Sequence, residues 1–223
     1  MATDRAGTVD TPRGRYAGLS ADQRRNQRRD RLRAAALELI AEEGLTGLKV
    51  RGLCARAGLN DRYFYESYSH TDRLLYELVE EQLAEVVAAV MGVIAVAPAD
   101  TRVRLRAVVE AGVAAIADHP ARRRLTIEMQ TTDDLRHRRT ELVALVAQVM
   151  LDQGRELLGE DAVRGMHAEL AARTVAHGGL EILAEWLRGE LDIDRAQLVD
   201  FLVAMILTSA QITTTVQREM AAG

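Results

Sequence analysis

Cysteine, proline and aromatic residues are scarce in this 223-residue chain, which has one cysteine, three prolines and only 4% aromatic residues. The lone Cys54 cannot form an intramolecular disulfide, so nothing indicates an oxidising compartment. Few prolines among many Ala, Leu, Arg and Glu residues favour helix nearly everywhere, and no alternating run is long enough to predict a sheet. The sequence therefore predicts an all-α fold, and its apolar content of 48% is enough for a buried core.

Long apolar runs are missing as well. The two most apolar stretches, VVAAVMGVIAVA and FLVAMIL, fall short of the roughly 20 residues that span a bilayer. The N-terminus is polar and then rich in arginine, without the apolar core of a signal peptide. We therefore expect a cytoplasmic protein that does not insert into a membrane.

Signatures of catalysis and metal binding are absent from the sequence. The five histidines are scattered, with no pair at metal-ligand spacing and no H-E-x-x-H, and neither G-x-S-x-G nor a Gly-rich phosphate loop occurs. Cys54 is interpreted as a small buried hydrophobe on the inner side of a short helix. These features argue against an enzyme and predict neither a metal nor a cofactor.

Charge is distributed unevenly along the chain. Residues 1–70 hold 13 Lys and Arg against 9 Asp and Glu, which is a net charge of +4. The remainder holds 16 against 24, a net charge of -8, and the two parts sum to the formal net charge of -4. A basic head on an acidic body favours an anionic partner at one end, whereas a solvated, disordered arm accounts for the charge equally well.

The first 70 residues are predicted to form three helices behind a disordered basic arm at residues 1–19. SADQ is a capping box that opens a helix at Ser20, and this helix ends at Gly44. A short helix near 50–57 is broken by Gly58, and Asn60 is a good N-cap for another short helix near 61–67. Two short helices joined by the tight turn AGLN indicate a helix-turn-helix domain at residues 20–70.

The rest of the chain is predicted to be a second helical domain, over residues 71–223. Thr71 is expected to cap a long helix that runs to about Val96. Further helices are expected near 100–117, 121–131, 133–158, 163–189 and 194–220, which brings the total to about nine.

Aromatic residues cluster in the last short helix of the helix-turn-helix: four of the seven Phe and Tyr residues lie within six positions. Phe64 and Tyr68 share one face, because residues four apart are neighbours on a helix, and we predict that they point inward. The other side carries Asp61, Arg62, Tyr65 and Glu66, with Tyr63 at its margin. Such a face can enter a major groove, where Arg pairs with guanine and Tyr hydroxyls bind phosphates. The alternative is that all the rings are core.

The stretch ALELIAEEGLTGLKVRGLCARAGLNDRYFYESYSHTDRLL resembles the DNA-binding domain of the TetR (tetracycline-repressor-like) family, closely over about residues 28–78. AGLN fills the family's turn, and the resemblance assigns Tyr65 to a phosphate and Tyr68 to the inner core. Two positions depart from the family pattern. Lys49 stands where a hydroxyl residue is usual, and His70-Thr71 stands where a lysine is usual, so arginines before and within the first helix would compensate. The residues expected at DNA are Lys49, Arg51, Asn60, Asp61, Arg62, Tyr63, Tyr65, Glu66, His70, Thr71, Arg24, Arg25 and Arg28.

The resemblance further implies a homodimer that binds a near-palindromic operator and a repressor that responds to a small molecule. The segments HGGLEILAEWLRG and LVDFLVAMILTSAQITTTV suit the last two helices, which form the dimer interface in this family. Sparse aromatics and few buried polar groups favour an apolar ligand. Candidate lining residues are Met91, Met129, Gln130, Met150, Met166, His177 and Trp186. The alternative is a DNA-binding regulator without a ligand, controlled by a partner protein or associated with the nucleoid.

Overall fold

The structure is a computed structural model that describes residues 20–131, 135–158 and 165–222. The predicted arm at residues 1–19 lies outside this part of the chain. The described residues form nine α-helices and no strand, so the all-α prediction is confirmed. The helices are α1 (Ala21–Glu43), α2 (Val50–Ala57), α3 (Asp61–Tyr65), α4 (Thr71–Val96), α5 (Thr101–Ala117), α6 (Pro120–Thr131), α7 (Arg136–Leu158), α8 (Met166–Arg188) and α9 (Arg195–Ala222).

Local capping chemistry fixes the ends of the first helices. The Ser20 hydroxyl accepts from the Gln23 N–H at 3.1 Å, and the Gln23 side chain accepts from the Ser20 N–H at 2.7 Å, which is the predicted capping box. α1 ends at Gly44, which has a φ of 73° and leads into an unpredicted 3₁₀ turn, Leu45–Gly47. Gly58 ends α2 in the left-handed conformation, and the Asn60 side chain caps α3 by accepting from the Arg62 N–H at 3.0 Å.

The start of α4 differs from the prediction. Thr71 does not cap this helix, because it is already the first helical residue and His70 occupies the N-cap position. The backbone of His70 is extended, with φ -148° and ψ 160°, but its side chain makes no capping hydrogen bond. The acidic Asp72 in the first turn instead complements the positive end of the helix dipole.

The first apolar core joins the helix-turn-helix to α4 and α6. Phe64 is fully buried and Tyr68 is 2% exposed, so the inward direction predicted for these two rings is confirmed. Ala121, Leu125 and Met129 of α6 belong to the same core. The apolar core therefore continues across residue 71, and the domain boundary at that position stays a prediction.

A ladder of ion pairs fixes α4 beside α1. Arg29 donates from Nη2 to Glu77 at 2.5 Å and from Nε to the Tyr68 hydroxyl at 3.1 Å. Arg33, four residues later, pairs with Glu81, which is four residues after Glu77. Because the partners advance by one helical turn on both helices, the ladder determines how α4 lies against α1.

The larger body is built around α5, α7, α8 and α9. Leu187, Leu198 and Val199 are almost fully buried where α8 meets α9, and a smaller cluster fills the contact between α7 and α8. Gly179 lies on α8 against Leu202 of α9. An internal cavity lies between α4 and the other helices of the body.

Candidate nucleic-acid interface and central cavity

The outward face of α3 combines an aromatic ring with charged groups. Tyr65 is 62% exposed, and its ring meets the buried ring of Phe64 edge-on, with centroids 5.3 Å apart. Asp61 and Arg62 are also exposed. The buried Phe64 therefore steadies a tyrosine that faces solvent, as a phosphate-contacting residue requires.

Glu66 is the charged centre of this face. It accepts from Arg62 Nε at 3.1 Å, one turn earlier on α3, and its other oxygen lies 3.5 Å from Arg28 Nη2 on α1. The Arg62 side chain is 83% exposed, so this pair adds little to stability. Glu66 nevertheless biases the direction of a side chain that remains accessible from solvent.

Arg28 packs α1 against α3. Its guanidinium carbon lies 4.6 Å from the centroid of the Tyr63 ring, a cation–π contact that adds to the pair with Glu66. Its Nε is buried without a hydrogen-bond partner among the described residues. Tyr63 is 38% exposed. The structure therefore brings Arg28, Tyr63 and Glu66 into contact with one another.

The remaining predicted DNA contacts lie at the surface of the same small domain. Lys49 is the N-cap residue of α2 and makes no capping hydrogen bond with its side chain, leaving its ammonium group exposed. Arg51, Asn60 and His70 are exposed, and Thr71 is half-buried. Arg24 and Arg25 are exposed on the first turns of α1.

No sequence pattern predicts the role of Arg31. Its Nη2 donates to the carbonyl of Ala57 at 2.5 Å and to that of Gly58 at 3.3 Å. This residue therefore ties α1 to the turn of the helix-turn-helix through two backbone carbonyls, on residues that have no polar side chain. A backbone carbonyl cannot be found by searching a sequence for an oppositely charged partner.

A cavity of about 300 Å³ lies between α4, α5, α7, α8 and α9. Its lining is almost wholly aliphatic, and among the described residues only Thr101, Gln153 and Ser209 contribute polar side chains. The predicted residues Met91 and Met150 are part of this lining.

Five of the predicted ligand contacts lie elsewhere. Met129 fills the first core, and Gln130 follows it near the end of α6. Met166 is 65% exposed, and His177 is exposed on α8. Trp186 packs on the core between α8 and α9 and donates to the Ile193 carbonyl at 3.0 Å. Residue type alone did not distinguish cavity from core or surface, so these five stand outside the site proposed below.

One buried arginine stands at the edge of the cavity. Arg104, on α5, is 9% exposed. Its Nε donates to Gln153 at 3.2 Å and its Nη2 donates to Glu156 at 2.8 Å, both on α7. Gln153 itself lines the cavity. A positive charge therefore lies directly behind an otherwise apolar wall.

Comparison with known proteins bears on the fold. No family model matches the chain, and no curated protein matches its sequence. Among solved structures, the chain is similar to a TetR-family transcriptional regulator from Streptomyces coelicolor, with a TM-score of 0.67 and 20% identity over 88% of this chain and 86% of that one. The chain has a TetR-like fold.

The TetR-like fold is also seen in two FadR proteins. The fatty acid degradation regulator FadR from Bacillus halodurans is similar with a TM-score of 0.64 and 18% identity, over 81% of this chain and 94% of that one. FadR from Bacillus subtilis, solved in complex with stearoyl-CoA, gives a TM-score of 0.62 and 17% identity, over 81% and 98% of the two chains.

Within the part of the chain that the structure describes, one segment is long and apolar enough to cross a membrane by length and composition. It is Arg195–Ile212 of α9, with a mean hydropathy of 1.2, of which 17% is buried. Its two charged residues, Arg195 and Asp200, pair with Asp118, just after α5, and with Arg106 in the second turn of α5. These exposed pairs link α9 to α5, and the buried side chains of Leu198, Val199 and Val203 hold α9 in the helical bundle.

Proposed function

We propose that this chain is a DNA-binding transcriptional regulator. The observation that carries the proposal is the outward face of α3, in which Arg62 and Tyr65 stand free of the core while Phe64 fixes the helix beneath them. Arginine and tyrosine on the second helix of a helix-turn-helix suit base edges and phosphates respectively. The TetR-like fold, shared with proteins named as transcriptional regulators, supports the same function.

Within this function, Tyr65 binds a phosphate and Arg62 or Asp61 reads a base edge, with Glu66 orienting Arg62. The flanking surface residues Lys49, Arg51, Asn60, His70, Thr71, Arg24 and Arg25 contact the DNA backbone. Arg28 and Tyr63 contribute mainly by fixing α3 against α1, since their side chains stack on each other.

The regulator acts as a homodimer through α8 and α9. Phe201, Met205 and Ile212 of α9 and Leu170 of α8 are between 43% and 60% exposed, although all are large and apolar. A second copy of the chain would cover these side chains, whereas a membrane is disfavoured by the charge pairs that bind α9 to α5. A two-fold dimer implies a near-palindromic operator. A regulator that binds DNA in this way would act in the cytoplasm.

The central cavity makes the regulator responsive to a ligand. Its volume of about 300 Å³ and its aliphatic lining suit a small apolar molecule. The FadR structure with stearoyl-CoA supports an acyl chain as one such molecule. A ligand bound between α4 and the helices α5, α7, α8 and α9 would shift the helix-turn-helix formed by α1–α3. The simplest outcome is that the protein represses transcription and that the ligand releases it from DNA.

Genomic DNA capture with the purified full-length protein tests DNA binding. We expect enrichment of fragments that share a near-palindromic motif. Arg62→Ala should make the motif less specific at one position in each half-site. The discrimination lost at that position should be about 1–3 kcal/mol. Arg139→Ala, which removes an α7–α8 ion pair with Glu181, serves as the control and should leave the motif unchanged. Capture of no shared motif by the wild-type protein would reject the proposal.

A further inference from the structure

Arg104 lies on α5 beside the cavity without lining it. Thr101 precedes it by three residues and Val108 follows it by four, and both line the cavity. Residues at these spacings are neighbours on a helix, so Arg104 lies behind the cavity wall and reaches it through Gln153, to which it donates. It is also the one buried charged residue among the described residues.

The groups that hold Arg104 are unequal. Gln153 is neutral and lines the cavity, whereas Glu156 carries the compensating charge with a side chain that is 54% exposed. A buried cation needs a paired anion, because removing an uncompensated charge from water costs several kcal/mol. Glu156 can return to water without such a cost, so its place on Arg104 can be taken by another anion.

The position of Glu156 on Arg104 is better suited to a ligand carboxylate than to an uncharged polar group. The planar guanidinium binds a carboxylate through two parallel hydrogen bonds, and such charge-assisted bonds strengthen where water is excluded. The cavity offers few alternatives for a polar head, since its lining has only Thr101, Gln153 and Ser209 as polar side chains among the described residues.

We propose that the cavity binds an apolar monocarboxylate whose tail lies among the aliphatic side chains and whose carboxylate displaces Glu156 from Arg104. Thr101 and Gln153 provide neutral hydrogen-bonding groups beside that carboxylate. This inference rests on the proposed ligand response and adds the chemical class of the ligand and the residue that selects it.

Calorimetric titration of the full-length protein with dodecanoate, methyl dodecanoate and dodecanoyl-CoA tests the inference. All three carry the same chain, but only dodecanoate presents a carboxylate at its end; each is used below its micelle-forming concentration. We expect dodecanoate to bind at least about tenfold more tightly than the ester, which is the effect of one charge-assisted interaction of about 1.4 kcal/mol. The thioester should bind no better than the ester.

Three variants assign the preference to Arg104. Arg104→Met should bind acid and ester alike, and Arg104→Lys, which keeps the charge and is the safer variant for folding, should retain part of the preference. Glu156→Gln should bind dodecanoate more tightly than the wild type, because a competing carboxylate is removed; a purely structural ion pair would give no such gain. Arg139→Met is the control and should keep the full preference, since its pair with Glu181 lies between α7 and α8 and neither residue lines the cavity.

The outcomes separate the two proposals. Equal binding of dodecanoate and its ester by the wild type, or preferred binding of the thioester, would overturn the role of Arg104 but leave the cavity as a ligand site. Failure of all three compounds to bind would remove the support for the ligand response and for this inference together, while DNA binding would stand on its own test. Weaker binding of dodecanoate to Glu156→Gln than to the wild type would also overturn the inference.

Discussion

Tyr65 is 62% exposed, and its ring meets the buried ring of Phe64 edge-on. Tyr65→Phe should therefore keep the ring in position and remove only the hydroxyl. If that hydroxyl binds a phosphate, affinity should fall for every DNA sequence, by about 1.5–3 kcal/mol, the range for hydrogen bonds to charged groups. Fluorescence anisotropy with an operator and with unrelated DNA measures both affinities.

Tyr76→Phe provides a matched control for this experiment. Tyr76 is 47% exposed, but its ring lies on α4 under Arg138, whose guanidinium carbon is 3.7 Å from the ring centroid. Loss of its hydroxyl should leave DNA affinity unchanged. Equal affinities of Tyr65→Phe and the wild type would place the phosphate contact on another residue.

Cys54 should react slowly in the folded protein. Its burial, aided by the negative charge of Asp61, raises the pKa of the thiol to about 11. At pH 8 the thiolate is then only about one part in a thousand of the total, and the thiolate is the reactive form. Iodoacetamide labelling followed by mass spectrometry should be slow in buffer and fast in denaturant; equal rates would show that the site is open.

The raised pKa of the Cys54 thiol also makes the free energy of unfolding depend on pH. Because the thiol ionises more readily in the unfolded chain, the neutral form of Cys54 favours the folded state below the ordinary pKa of 9.0. That contribution is lost as pH rises from about 9 through about 11.

At the scale of the element, two glycines provide opposite predictions. Gly44 has φ 73° and ψ -167°, a region that is essentially restricted to glycine, and a Cβ there would overlap Glu128 Oε1 and lie 2.7 Å from Arg124 Nη2. Glu128 also accepts from the Leu45 N–H at 2.9 Å. Gly44→Ala should therefore lower the free energy of unfolding by about 1–3 kcal/mol, as measured by urea denaturation.

Gly52→Ala is the matched control for Gly44→Ala. Gly52 lies inside α2 without a positive φ, and a Cβ there would meet nothing within 4 Å. Alanine should raise stability by about 0.5–1 kcal/mol through its higher helix propensity. A destabilising effect of similar size in both variants would contradict the conformational argument.

Sequence patterns predict helices and their inward faces better than they predict which residues of different helices pair with each other. Glycines and capping residues mark chain reversals locally, so the limits of α1 and α2 follow from a few neighbouring residues. Partners are harder to predict: Arg29 of α1 pairs with Glu77 of α4, and these residues are 48 positions apart. Periodicity specifies a face and not the residue that will meet it across the fold.

The same limit explains why only two of the seven predicted ligand contacts line the cavity. Met129 and Met150 have the same chemistry, yet α6 directs one into the first core while α7 directs the other into the cavity. The choice depends on helix packing, which a single-helix pattern does not contain. Arg104 was missed for the same reason, since a lone arginine on a helix is read as a solvated charge.

At the scale of the whole molecule, the apolar surface of α9 should control assembly. Phe201→Glu would place a charge on the proposed dimer face and should convert a dimer into a monomer, as measured by sedimentation velocity. Operator affinity should fall with it, because one chain reads only half of a near-palindrome. Phe201 is 47% exposed in the single chain, so folding should survive the change.

Val103→Glu is the control for the assembly experiment. Val103 is 54% exposed, which is similar to Phe201, but it lies on the first turn of α5 rather than on α8 or α9. It should leave the protein dimeric. A monomeric wild type, or a Phe201→Glu variant that remains dimeric, would contradict the proposed interface.

The core shared between α1 and α6 limits how this molecule can be divided. Cutting the chain after residue 70 would uncover the side of the head that Ala121, Leu125 and Met129 normally fill. An isolated helix-turn-helix from this protein should then be poorly folded and prone to aggregation. A transfer of the proposed DNA-reading residues should therefore place the surface residues of α3 in an intact recipient of the same fold, or include α6 in the transferred segment.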